Sequence, residues 1–125
     1  MKKGEKELLL IKASMKSYLD QVKKAEGEKI YQCGFQLVQK VKKPVLFLIE
    51  NNIRKKEVID TMTELISLVI QCGSKCYQLN AKETVRLSVF LNYCCLLTEE
   101  FNLSKEISDI LSDTYNEWYT VEESL

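Results

Sequence analysis

Asn80-Ala81-Lys82-Glu83-Thr84-Val85-Arg86-Leu87-Ser88-Val89-Phe90-Leu91-Asn92-Tyr93-Cys94-Cys95-Leu96-Leu97-Thr98-Glu99-Glu100-Phe101 is the stretch on which the fold of this chain turns. It opens on Asn80 and Glu83, the pattern of a capping box in which each side chain accepts a hydrogen bond from the other's backbone N–H. Neither proline nor glycine interrupts the stretch from there to Phe101. Apolar residues recur at Val85, Leu87, Val89, Phe90, Leu91, Tyr93, Leu96, Leu97 and Phe101, almost all round a helix. A helix apolar on every side is normally buried on every side. The expectation is a helix over residues 81–101 at the centre of an all-α bundle.

Downstream, Ser104 with Glu106 behind it predicts the cap of a last helix, whose inward face reads Ile107, Ile110, Leu111, Tyr115 and Trp118, and the tail after Val121 is expected to fray. Upstream, Val58, Met62, Leu65, Ile66, Val69 and Cys76 predict the longest amphipathic helix over residues 53–78, with Glu57, Asp60 and Glu64 near its positive N-terminal end. Asn51-Asn52 ends a short apolar segment, Val45 to Ile49, that Pro44 opens from the first turn of its own helix. Before it come helices over residues 29–42 and 8–25, the first carrying the stripe Leu8, Ile11, Met15, Tyr18, Val22 and Ala25, with a break at Glu26-Gly27-Glu28. Gln32-Cys33-Gly34 and Gln71-Cys72-Gly73 echo each other, but their flanks do not match, so no repeat is read from them.

The chain has 125 residues, 46% hydrophobic and 29% charged, enough for one core in one domain spanning residues 1–125. Its longest apolar runs are far short of a membrane span, and its basic N-terminus lacks the cleavage site of a signal peptide. Five cysteines, an odd number set inside helical patterns, read as reduced thiols, so a cytoplasmic protein is expected. Charge is uneven within a net of zero: residues 1–56 hold 14 Lys/Arg against 6 Asp/Glu, and residues 57–125 hold 4 against 12.

No enzyme site is legible. Histidine is absent, which removes the commonest general base and metal ligand, and the four glycines are scattered rather than gathered into a phosphate loop. Cys72, Cys76, Cys94 and Cys95 would need loop spacing to hold zinc, so they read as core thiols. Glu106, Asp109, Asp113 and Glu117 line one face of the last helix without a facing Glu-x-x-Glu, and so read as a solvated face. The lysines of the N-terminal half lack interleaved aromatic residues, which gives specific nucleic-acid binding no support. The expectation is a protein with neither metal nor cofactor, and with no membrane or specific nucleic-acid partner.

Arg86-Leu87, Leu91-Asn92-Tyr93, Glu99 and Asn102 resemble the seventh helix of the 14-3-3 proteins. The resemblance implies that Asn92 and Glu99, two turns apart along one helix, hold the backbone of a peptide, with Leu91 in the apolar wall beside it and Arg86 orienting the groove helix. Lys56 and Glu57 stand where the family has the Arg-Tyr pair that meets a phosphate, so Lys56 would supply a point charge and the tyrosine is lost. The chain is also about half the family's length, and the N-terminal helices through which the family dimerises have no clear counterpart.

The resulting expectation is an all-α antiparallel array of five or six helices that acts as a peptide-binding adaptor. Its site would be Asn92, Glu99, Leu91, Arg86 and Lys56, its partner a protein or peptide carrying phosphorylated or acidic segments, and dimerisation is left open. The alternative is a small inhibitor, immunity or regulatory bundle that meets one protein partner through complementary charge.

Overall fold

The structure, a computed structural model, describes residues 3–26, 28–76 and 79–123, without the side chains of residues 28, 115 and 117–123. Among the described residues there are five helices and no strand: α1 Glu5–Val22, α2 Glu28–Glu50, α3 Lys56–Lys75, α4 Ala81–Glu100 and α5 Lys105–Glu123. α1 and α2 form one hairpin and α4 and α5 another, while α3 packs against all four. The helix that meets every other is therefore α3, whereas the sequence suggests α4; α4 meets α2, α3 and α5, so the expected flanking by α3 and α5 is found, but one of its faces stays uncovered.

Local chemistry fixes several of the helix ends. The capping box is formed: Glu83 N–H donates to Asn80 Oδ1 at 2.8 Å, and Asn80 N–H donates to Glu83 Oε1 at 3.2 Å. This reciprocal pair explains how Glu83, 8% exposed, tolerates its burial. Ser104 starts α5 as predicted, accepting from the Ile107 N–H at 3.4 Å. α1 leaves Gly4, whose φ of 88° suits glycine, and a Cβ there would come within 2.6 Å of Ile53 Cδ1.

α2 and α4 stop in the same way. Asn52 (φ 52°) and Asn102 (φ 50°) take the left-handed conformation after the last turn. The next N–H along the chain, of Ile53 or Leu103, reaches back to the carbonyl of Leu48 or Thr98, both at 3.0 Å. Ile53 and Leu103 are both buried, so each stop is locked by an apolar contact as well as by hydrogen bonds. Arg54 then joins the two stops: its Nε donates to the Glu100 carbonyl at 3.0 Å, one terminal nitrogen lies 3.4 Å from the Leu48 carbonyl, and the guanidinium stacks 4.6 Å over the Phe101 ring.

The sequence predicts a break before Pro44, but α2 runs straight through it. A proline inside a helix removes one hydrogen bond and costs about 3 kcal/mol. Val41, Val45 and Leu48 on the same face are each at most 1% exposed, and burying side chains of this kind contributes roughly 1.5–3 kcal/mol apiece. Packing outweighs the lost bond. The core continues through Ile11, Leu37, Met62, Leu65, Ile66, Leu87, Leu91, Leu97 and Leu111, all nearly inaccessible. On α5 the inward face is narrower than expected: Leu111 is buried, Ile107 half-buried and Ile110 45% exposed. The expected contacts of Tyr115 and Trp118 lie outside the described residues. The helix itself continues to Glu123, beyond the predicted start of fraying.

Candidate functional site: the outer face of α4

α4 carries two apolar faces. One is core: Leu87, Phe90, Leu91, Cys94 and Leu97 are at most 5% exposed, and burial pushes the Cys94 thiol well above its ordinary pKa. The other is open. Val85, Val89 and Leu96 are 41%, 56% and 53% exposed, and they lie in line on the side facing away from the bundle. This second face is why the helix looks apolar all round in sequence and yet is not central.

The predicted site residues fall on different sides of this geometry. Asn92 and Glu99 are both exposed and share one flank of α4, about 20° apart around the axis. Neither side chain has a hydrogen bond or ion pair among the described residues. Arg86 is exposed on the opposite flank, about 120° around from Asn92. Its guanidinium lies 5.4 Å from the centroid of the Phe35 ring, at the lid of a cluster in which Tyr31, Phe35 and Phe90 approach to 5.8–6.3 Å. Arg86 thus ties α4 to α2, and its charge opposes the upward push that burial gives the Tyr31 phenol. Leu91 is fully buried, pointing into the core and not along an outer wall. Lys56 opens α3, exposed and linked to neither Asn92 nor Glu99. The structure therefore brings Asn92 and Glu99 together and leaves Leu91, Arg86 and Lys56 apart from them.

The residues that sequence reading misses are Val85, Val89 and Leu96. Their positions, with Asn92 and Glu99, step by four, three, four and three residues, the rhythm of a helix–helix seam. That signal is present in the sequence but overlaid by the core residues between them. No protein-family model matches this chain, and no curated protein or solved structure does.

The remaining chemistry-bearing groups are structural in their surroundings. Cys72 and Cys76 approach to 4.0 Å at the end of α3, where the hydrogen bond between them holds the Cys72 thiol below its ordinary pKa and pushes that of Cys76 up. The Tyr18 phenol, buried beside them, is raised by that burial. Among the described residues, no three His, Cys, Asp or Glu side chains converge as metal ligands, and no helix is long and apolar enough to cross a membrane. Surface hollows lie on other helices, between Lys6, Leu10, Pro44 and Phe47 on α1 and α2, and between Thr63 and Ile110 on α3 and α5.

Proposed function

We propose that this protein is a partner-binding module, of adaptor type, whose docking face is the outer side of α4. An apolar segment of a protein or peptide partner lies along Val85, Val89 and Leu96, and Asn92 and Glu99 on the flank supply polar contacts to it. The observation that carries this reading is the line of three exposed aliphatic side chains on a helix whose opposite side is fully packed. Scattered exposed leucines are ordinary on a protein surface, whereas an aligned set flanked by an exposed carboxamide is the anatomy of a contact face.

This reading carries no phosphate requirement. Lys56 stands on a different helix, and the lysine at the start of this face, Lys82, lies about 15 Å along the helix from Asn92, so a phosphoryl group held at Asn92 meets nothing cationic beside it. The test is a fluorescence-polarisation titration of an Arg-Ser-x-phosphoSer-x-Pro peptide pool, its unphosphorylated twin, and leucine-rich amphipathic peptides. The unphosphorylated leucine-rich peptides are expected to bind at least as well as the phosphorylated pool, and Asn92→Ala to weaken binding about tenfold, the cost of one hydrogen bond to the partner. Binding confined to the phosphorylated pool and abolished by Lys56→Ala would restore the phosphopeptide reading. Failure of all three peptides to bind would contradict the docking face.

A further inference from the structure

We infer that the partner fitting this face is a second copy of the same chain, docked antiparallel through α4 about a two-fold axis. The inference rests on the docking reading of α4 and gives the occupant a definite chemistry. The four-three spacing of Val85, Val89, Asn92 and Leu96 is that of a knobs-into-holes seam, which another helix of the same pattern fills. In an antiparallel pairing, Val85 meets Leu96 of the second copy and Val89 packs beside Asn92 of the second copy, each contact occurring twice because a two-fold interface is self-complementary.

Charge selects this direction. Lys82 lies at the start of the seam and Glu99 at its end, both exposed and neither in an ion pair among the described residues. The antiparallel register that sets Val85 against Leu96 also sets Lys82 against Glu99 of the second copy, at both ends. A parallel pairing would put lysine on lysine and glutamate on glutamate, which is unfavourable. Glu100, next along, is already engaged by Arg54 at 3.7 Å, and that leaves Glu99 as the acid available to the seam. Two heptads on one helix make a small interface, so the dimer is weak and concentration-dependent.

The variants that test this leave the monomer folded. Val89 and Leu96 are exposed, a glutamate at position 82 sits in the first turn of α4, and a lysine at position 99 sits in its last, where the helix dipole favours each. Sedimentation equilibrium is measured for the wild type, Leu96→Glu, Lys82→Glu and the swap Lys82→Glu/Glu99→Lys, with helix content checked by circular dichroism. The expected result is a wild-type dimer that Leu96→Glu abolishes, that Lys82→Glu weakens about tenfold, and that the swap restores to within about threefold. A dimer unaffected by Leu96→Glu, or a Lys82→Glu variant that pairs as well as the wild type, would overturn the antiparallel seam. A monomeric wild type that still binds the unphosphorylated peptides through Leu96 would overturn self-association alone. A monomeric wild type that binds no peptide would overturn the docking reading with it.

Discussion

At the scale of single residues, α2 and α3 approach each other closely at Gly34. Gly34 is buried, and a Cβ there would lie 2.5 Å from Cys72 Sγ, closer than side chains approach. Gly34→Ala is therefore expected to lower the free energy of unfolding by about 1–3 kcal/mol, the usual range for overpacking, in a urea titration. Adding Cys72→Ala should return most of that loss, because the clashing sulfur is gone; a double variant no better than the single one would mean the strain lies in the backbone. The thiols predict the response to alkali. Burial raises the Cys94 thiol above its ordinary value of 9.0 and raises Cys33 and Cys95 as well. Groups raised on folding contribute stability that is complete below the unfolded value and is lost as pH rises through the folded one. The urea midpoint is expected to hold from neutral pH to about 9 and to fall above it, and Cys94→Ala should flatten that fall. The same scale explains why Leu91 and Asn92, adjacent in sequence, have unrelated surroundings: successive helical residues point about 100° apart, so one enters the core and the other leaves it.

At the scale of the element, stops and starts are legible because short-range chemistry fixes them. The Asn80–Glu83 box, the Ser104 cap and the Asn51-Asn52 stop are all where the residues place them. Asn80→Ala should cost about 0.5–2 kcal/mol in a urea titration, because the Glu83 N–H loses its Oδ1 acceptor while the backbone N–H of residue 80 that donates to the Glu83 carboxylate remains. On α2 and α4 the departure from the sequence expectation comes from a long-range term that no window of sequence displays. Pro44 lies inside α2 because Val41, Val45 and Leu48 pack on both sides of it, so tertiary burial overrides a local breaker. α4 looks central because its two apolar faces sum to a helix without polarity, and nothing in its own sequence says which face the other helices cover. Arg86 is legible as an exposed arginine, but not as the lid over Phe35, which lies 51 positions away and is brought close by the packing of α2.

At the scale of the whole molecule, the basic and acidic halves of the sequence become two parts of one bundle, with α2 and the segments around α1 and α2 lysine-rich, α1 itself balanced, and α5 acidic. An ion pair between the halves, Lys12 Nζ to Glu57 Oε1 at 2.7 Å, is exposed, so they are joined mainly by apolar packing around α3. Glu106, Asp109 and Asp113 remain exposed along α5, and reversal of Asp109 and Asp113 separates the charge-based alternative from the α4 face: it should leave binding at α4 intact at moderate salt. The all-α class is legible from periodicity and composition, whereas the candidate site is legible only for Asn92 and Glu99. The central claim is that α4 packs with one face and binds with the other, and Leu96 and Leu97 are neighbours on opposite sides of that division. The most direct measurement is the thermal midpoint and peptide affinity of Leu96→Glu compared with Leu97→Glu. The account predicts that Leu96→Glu keeps the wild-type midpoint and loses binding, while Leu97→Glu, which buries an unpaired charge, fails to fold stably. A Leu96→Glu protein that binds as well as the wild type, or that unfolds as Leu97→Glu does, would contradict it.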